Sequence, residues 1–195
     1  IDGDDDIGQN KISNNVEIKS EQERTVEVLG WILEAMKVNK FETEYISSIP
    51  STSDFNKTPQ YESVKNQNQG EKALVYYKIP TDTNYVSYIF RDISDEKGLN
   101  FVLETINKSS SKATFFVTAH ELEDYPERIQ KILDAGCTIE NGGLDQKTLA
   151  KDSFAQIYEE ILICRDKLKE FGIQSQFFMP AGGIYNDTVL EAASA

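Results

Sequence analysis

The sequence contains little histidine and little cysteine. Its 195 residues include one histidine, His120, and two cysteines, Cys137 and Cys164. A metal site with two histidine ligands from this chain is therefore excluded, and the cysteines have neither CxxC nor metal-knuckle spacing. We expect two buried free thiols, with a disulfide as the alternative, so the cysteines do not fix the cellular compartment.

Positive charge and long apolar runs are also scarce. Twenty Lys and Arg stand against 33 Asp and Glu, which gives a formal net charge of -13. This charge repels a nucleic-acid backbone and an anionic membrane, so neither is expected as a partner. No apolar run approaches the ~20 residues that a membrane helix needs. Because the chain begins at Ile1 without an initiator methionine or a signal segment, we expect a mature form, a trimmed form or a piece of a longer protein.

Two polar stretches in the first 70 residues predict irregular chain. Residues 1–20 include the acidic run from Asp2 to Asp6, in which the glycine is misplaced for a calcium loop and no glutamate closes the loop. We therefore expect a flexible acidic tail there. Residues 51–70 are rich in Ser, Asn, Gln and Lys, and we interpret them as a linker.

Between these stretches, residues 21–50 predict a helix followed by a strand. The helix has a broad apolar face that includes Leu29, Trp31, Ile32 and Leu33. The alternation of residues 40–46 is typical of a half-exposed strand. A single helix and strand cannot bury a core alone, so we expect them to pack against another part of the protein.

The remaining residues predict an α/β fold. A β-branched and aromatic run from Lys112 to Thr118 is typical of a buried strand, and residues 99–106 and 129–133 have the spacing of one apolar helix face on either side of it. Further strands are expected at 73–79, 84–90, 137–139 and 176–179, the first two as a possible hairpin, and further helices after Asp152 or Ser153 and after Asn186. Helices that alternate with buried strands indicate a parallel sheet or barrel.

In parallel α/β folds, functional sites are built from the loops at the carboxyl ends of the strands. The predicted loops are residues 91–93, 118–120, 141–146 and 180–185. They carry a set of polar and aromatic side chains that can line a groove: Arg91, Asp92, His120, Asn141, Asp145, Gln146 and Tyr185.

Four segments together carry a family resemblance. They are residues 112–118, 125–129, 134–142 and 177–186. In order and spacing they resemble the polysaccharide deacetylase family, the NodB-homology domain of carbohydrate esterase family 4, over about residues 73–195. The resemblance implies an irregular (β/α) barrel, removal of acetyl groups from chitin-like or peptidoglycan sugars, and an extracellular or cell-envelope location.

The resemblance also implies a metal site, and few of its residues are kept. The family holds a divalent ion with one Asp and two His, uses a neighbouring Asp as the base and orients that base with an Arg. The base position is Arg91 here, the two histidine positions are Gly142 and Gln146, and the arginine position is Phe178, while Asp92 keeps the one ligand position. The catalytic positions are thus substituted, and we expect no cofactor.

Three functions remain open at this point. The first is an inactive deacetylase-like domain that binds carbohydrate, and the second is a structural module that pairs with another chain through open barrel edges. The third is an active deacetylase that uses zinc or cobalt through other ligands. Simpler interpretations of individual residues also stand: His120 as a solvated loop residue, Asp92 as a turn cap, and Arg91 with its neighbours as a closure of the former metal pocket.

The domain at 71–195 is incomplete at its C-terminal end by the standard of the family. Residues 21–46 resemble the helix and strand that close the family's barrel. Either these residues finish an upstream copy of the domain, or they complete this domain in permuted order. A half barrel with open edges is prone to pair with another copy or another chain, so we expect one of these completions.

Overall fold

A parallel sheet organises the chain in a computed structural model that describes residues 21–48, 71–79 and 81–195. The predicted tail at 1–20 and the predicted linker at 51–70 lie outside the described residues. The elements in chain order are α1 (Glu21–Val38), β1 (Glu42–Thr43), β2 (Tyr85–Val86), β3 (Tyr88–Arg91), α2 (Glu96–Ser109), β4 (Ala113–Val117), α3 (Ala119–Asp124), α4 (Pro126–Asp134), β5 (Thr138–Asn141), α5 (Phe154–Glu170) and α6 (Asp187–Ser194).

The predicted strand in the middle of the chain is the central strand of the sheet. Strand β4 pairs in parallel with β3 on one side and with β5 on the other, and all five of its residues are buried. The rings of Phe90 and Phe115, which face each other across β3 and β4, are stacked with centroids 5.1 Å apart. Residue Phe178 adds one parallel bridge beyond β5.

Successive side chains of β4 point to opposite faces of the sheet. Ala113, Phe115 and Val117 belong to the main core cluster, together with buried residues of α2 and α4. Thr114 and Phe116 lie on the other face and are also buried. The sheet therefore has a helix-covered outer face and an inner face that corresponds to a barrel interior.

Local capping chemistry sets the helix boundaries, and Ser153 and Asn186 confirm the predicted starts of two helices. The Asp95 side chain caps α2, Pro126 stands in the first turn of α4, Ser153 caps α5 and Asn186 caps α6. These residues satisfy or avoid the unpaired N–H groups of a helix start. Gly136 follows α4 with φ 72°, the left-handed conformation that glycine adopts without strain.

Two predicted strands and one predicted loop were wrong. Residues 73–79 form neither a strand nor half of a hairpin, because they lie against α6, where the Ala73 N–H donates to the Leu190 carbonyl at 2.9 Å. Residues 176–179 make only the single bridge at Phe178. The loop expected after β4 is instead the short helix α3, because Thr118 and Glu121 form a capping box.

The N-terminal helix packs in the main core, and the N-terminal strand forms a separate two-stranded sheet. Strand β1 pairs in parallel with β2, which leads into β3. Leu29 and Leu33 of α1 are buried in the main core cluster. The broad apolar face predicted for α1 is wrong in part, since Trp31 is 65% exposed and Ile32 is 45% exposed.

Polar contacts fix the residues after β1 to the amino-terminal ends of the central strands. The Thr43 hydroxyl accepts a hydrogen bond from the Lys112 N–H at 2.8 Å, and the Lys112 ammonium pairs with Glu44 at 2.7 Å. The Tyr45 hydroxyl donates to the Gly136 carbonyl, just before β5. Within the described residues the strands form a two-stranded sheet, β1–β2, and a three-stranded sheet, β3–β4–β5, and no closed barrel, which agrees with an incomplete barrel. None of the described helices is long and apolar enough to cross a membrane.

The packing of α1 predicts that alanine substitutions at the adjacent residues Ile32 and Leu33 change the stability unequally. Leu33→Ala removes a side chain that is 4% exposed, so it should lower the free energy of unfolding by about 2–5 kcal/mol. The control Ile32→Ala, at a half-exposed position, should change it by less than about 1 kcal/mol. Urea unfolding measures both. Equal small effects would show that α1 does not belong to this core.

Candidate functional site

The carboxyl end of the sheet brings together two positions predicted from the sequence. Arg91 is the last residue of β3, and its guanidinium donates through Nη1 to the Pro180 carbonyl and through Nη2 to Oε1 of Gln146 at 3.2 Å. The Arg91 guanidinium therefore joins three loops, which follow β3, β5 and the Phe178 bridge.

The guanidinium of Arg91 is half-buried. Burial lowers the pKa of Arg91, while the nearby carboxylates of Glu121 and Asp92 act in the opposite direction. Its Nε is buried and has no hydrogen-bond partner within the described residues. A guanidinium remains protonated at any pH the protein meets, so this end of the sheet carries a fixed positive charge.

Asp92 has the contacts of a turn cap. It is exposed, its backbone is left-handed with φ 62°, and its Oδ1 accepts hydrogen bonds from the N–H and the hydroxyl of Ser94 at 2.9 and 2.5 Å. Aspartate tolerates this conformation because its short side chain bonds locally. One of the two carboxylate oxygens of Asp92 is thus engaged in the turn that leads into α2.

The loop after β5 is packed tightly against β4. The Gly142 N–H donates to the Val117 carbonyl at 2.9 Å, and a Cβ atom at Gly142 would lie 2.9 Å from both the carbonyl carbon and the oxygen of Val117. Neighbouring Asn141 has a structural role, since its side chain donates to the Ile161 carbonyl and accepts from the Gly143 N–H. The backbone at 142 therefore has no room for a side chain.

The remaining candidate residues lie around this end of the sheet without joining one polar cluster. His120 is exposed in the first turn of α3, and its N–H donates to the Leu144 carbonyl. Although burial raises the pKa of Asp145, hydrogen bonds and the charge of Lys147 outweigh burial and hold that pKa below its ordinary value. Phe178 packs with Leu149 and other apolar residues between α5 and α6.

The sequence reasoning missed a buried carboxylate below the site. Glu121 accepts hydrogen bonds at Oε2 from the N–H and hydroxyl of Thr118, both at 2.8 Å, and at Oε1 from the Ile93 N–H at 2.9 Å. It therefore ties the end of β3 to the end of β4. A Thr followed three residues later by Glu is the signature of a capping box and was the available signal.

Glu140 is a second buried carboxylate that was missed. It is 3% exposed on β5 and accepts hydrogen bonds from the N–H groups of Gln176 and Phe177 at 2.7 and 2.9 Å. Burial raises the pKa of Glu140, and the two backbone hydrogen bonds offset part of that rise. Glu140 holds the segment that leads to Pro180 against the sheet.

Both cysteines are free and buried, as expected. Burial raises the pKa of the Cys137 thiol to about 11 and that of the Cys164 thiol to about 12. Such thiols are protonated and unreactive near neutral pH.

The residues present do not fit a divalent metal ion. Among the described residues, no group of three His, Cys, Asp or Glu side chains is close enough to hold one. The resemblance assigns the base and the three ligands to positions 91, 92, 142 and 146. Arg91 is a guanidinium, and the Asp92 carboxylate is hydrogen bonded to Ser94. Gly142 has no space for a side chain, and Gln146 is a neutral amide. Neutral amide oxygen is a poor zinc ligand, and the guanidinium repels any cation.

The raised pKa of Glu140 predicts a pH-dependent variant. The folded state holds this proton above the ordinary carboxyl pKa of 4.5, so ionisation of Glu140 costs stability as the pH rises through and above that value. Glu140→Gln keeps an acceptor oxygen and removes that ionisation. The free energy of unfolding of the variant should therefore rise relative to wild type between pH 4 and pH 8, as measured by urea unfolding. A pH-independent difference would contradict the raised pKa.

Comparison with known proteins gives a consistent picture. The sequence model of the family described as Polysaccharide deacetylase matches residues 78–195. The peptidoglycan-N-acetylglucosamine deacetylase of Bacillus cereus is 23% identical over 121 residues, which are 62% of this chain and 57% of that protein. The peptidoglycan-N-acetylmuramic acid deacetylase PdaA of Bacillus subtilis is 29% identical over 92 residues, 46% of this chain and 35% of that protein. This chain thus spans little more than half, or less, of these relatives.

Solved structures show the same fold. A wild-type pseudoenzyme of carbohydrate esterase family 4 from Bacillus anthracis superposes with a TM-score of 0.53 at 19% identity, covering 56% of this chain and 40% of that one. A mutant of that pseudoenzyme, described as having restored enzymatic activity, also has a TM-score of 0.53, at 20% identity over 56% of this chain and 41% of that one. A family 4 carbohydrate esterase from Bacillus anthracis superposes with a TM-score of 0.51 at 19% identity, covering 55% of this chain and 54% of that one.

The matched residues 78–195 contain β2 to β5 and α2 to α6, which are the sheet and most of its helices. The resemblance seen in the sequence is therefore confirmed by an independent family match over more than half of the chain. This chain belongs to the polysaccharide deacetylase family.

Proposed function

We propose that this domain no longer catalyses metal-dependent deacetylation and that it binds carbohydrate at the cell envelope. The observation that supports this most strongly is the position of the Arg91 guanidinium, which donates to Gln146 and to the Pro180 carbonyl. The resemblance assigns residue 91 to the catalytic base and residue 146 to a histidine ligand. A direct contact between these two side chains leaves a cation where the family holds its metal ion.

Electrostatics and basicity both argue against hydrolysis through Arg91. A divalent ion about 4 Å from a guanidinium is repelled by roughly 8 kcal/mol at an effective dielectric constant of about 20. Arginine also cannot remove a proton from water near neutral pH, so it does not replace an aspartate base. Both the ion and the base of the family mechanism are lost through one substitution.

The backbone supports the same conclusion. A histidine at Gly142 would place its Cβ atom 2.9 Å from the Val117 backbone, a distance that real Cβ contacts essentially never have. The loop after β5 would therefore have to move away from β4 before a histidine could enter. The change from the family's metal site involves the main chain as well as the side chains.

The relatives support carbohydrate binding and an envelope location. The Bacillus cereus and Bacillus subtilis proteins are both named as peptidoglycan deacetylases, and peptidoglycan lies in the cell envelope. The net charge of -13 disfavours polyanionic ligands and is compatible with neutral or amine-bearing sugars.

A second candidate is an assembly module. Helix α1 exposes a stripe of apolar side chains on the face away from the core, and exposed apolar patches commonly mark interaction sites. The members of the stripe are Val28, Trp31, Ile32 and Val38. We also propose that residues 21–48 complete this domain in permuted order, since β1 pairs with β2 and α1 shares the main core.

The loss of hydrolysis predicts no acetate release. The chain should release no acetate above background from N-acetylglucosamine hexamer or from acetylated peptidoglycan with added zinc or cobalt, because no group in the site holds the ion or acts as base. The Bacillus cereus deacetylase, assayed in parallel, controls for substrate quality. Turnover that depends on added metal would support the third function, an active deacetylase.

The tight approach at Gly142 predicts opposite effects for two glycine variants. Gly142→Ala should lower the free energy of unfolding by about 1–3 kcal/mol, because the added carbon meets the Val117 backbone. Gly30→Ala, in the middle of α1 with no atom within 4 Å of the added carbon, should raise it by up to about 1 kcal/mol. Urea unfolding measures both. A neutral Gly142→Ala would show that the loop yields easily and that a histidine could be restored.

A further inference from the structure

Residues 71–77 expose apolar side chains without forming a strand. Leu74 is 76% exposed and Tyr77 is 86% exposed, although this segment has the composition of a buried strand. The segment precedes the residues 78–195 that match the family, so no comparison assigns it a role. Solvent-exposed apolar residues in one segment point to a contact surface.

Polar contacts hold this segment along α6. The Ala73 N–H donates to the Leu190 carbonyl at 2.9 Å, and the hydroxyl of Ser194 donates to the Glu71 carbonyl at 2.7 Å. The ammonium of Lys72 pairs with Asp187 at 2.7 Å. Because residue 71 lies beside 194 and residue 73 beside 190, the segment runs antiparallel to α6 and reaches the loop that precedes this helix.

The segment ends in a pair of tyrosines at that loop. The hydroxyls of Tyr77 and Tyr185 are hydrogen bonded to each other, and this bond raises the pKa of Tyr185. Next to them, the ring of Tyr76 contacts Phe177 edge-on, with centroids 6.3 Å apart. The Tyr77 ring is therefore tethered at its hydroxyl while most of its surface stays open to solvent.

Tyr185 belongs to the loop that also supplies the Pro180 carbonyl to the candidate site. Tyr185 stands five residues after Pro180, and the Pro180 carbonyl accepts a hydrogen bond from the Arg91 guanidinium. Ile184, between them, is 52% exposed. The loop from 180 to 185 is one of those at the carboxyl ends of the strands, where α/β proteins bind their ligands.

We infer that the ring of Tyr77, held by the hydrogen bond of its hydroxyl to Tyr185, forms a stacking surface for a pyranose chain that carries no acidic groups. This inference rests on the proposed carbohydrate binding and adds the surface that makes the contact. A fixed aromatic ring offers an apolar face to the C–H groups of a sugar, and the adjacent hydroxyls can hydrogen bond to sugar hydroxyls. The net charge of -13 disfavours uronic acid polymers at this surface.

Titration calorimetry of the full chain with N-acetylglucosamine hexamer tests this inference. Tyr77→Ala should weaken binding by about tenfold or more, since it removes the exposed stacking ring. Tyr77→Phe, which keeps the ring, should stay within about threefold of wild type. Phe101→Ala is the matched control, because it removes an exposed aromatic ring from α2, and it should leave the affinity unchanged. Polygalacturonate should not bind.

The outcomes separate this inference from the proposed function. If wild type and Tyr77→Ala bind the hexamer equally well, the stacking surface is wrong and carbohydrate binding stands. If wild type binds no glycan, the proposed function is wrong. A dimer in sedimentation that Tyr77→Ala dissociates, without glycan binding, would identify the surface as a protein interface and overturn the inference. Circular dichroism of each variant confirms that the fold is retained.

Discussion

The hydrogen bonds of one guanidinium define the carboxyl end of this sheet. Arg91 joins the last residue of β3 to the Gln146 side chain and to the Pro180 carbonyl, so three loops that line the functional end of a deacetylase fold are held by a cation of the protein itself. Two buried carboxylates stabilise the same segments through hydrogen bonds to backbone N–H groups. Glu121 binds the chain after β3 to α3, and Glu140 binds the segment before Pro180 to β5.

We propose that fold and chemistry have separated in this member of the family. The parallel strands, their helical cover and the helix caps are those expected of a polysaccharide deacetylase domain. The ends of the strands differ, because the ligand position Asp92 caps a turn and the backbone at Gly142 closes on β4. Since the core depends on buried apolar strands and the catalysis depends on a few side chains at their ends, the second can be lost without the first.

The sequence predicted the features that depend on local rules. The buried strand at 113–117, the helix starts at Ser153 and Asn186 and the absence of a two-histidine site follow from periodicity, capping chemistry and composition. The features that were missed depend on neighbours distant in sequence. Residues 73–79 have strand composition but lie against α6, and Trp31 belongs to an apolar face whose outer half has no core to bury it. The role of Glu121 needed the position of Ile93, which periodicity does not give.

The central claim is that the cation of Arg91 has replaced the metal ion of the family. Anomalous diffraction at the zinc edge, from crystals grown with excess zinc, tests it most directly. The account predicts no zinc peak between Asp92, Gly142 and Gln146, and a guanidinium in contact with Gln146. A fully occupied zinc peak among these residues, with Arg91 displaced from Gln146, would contradict it.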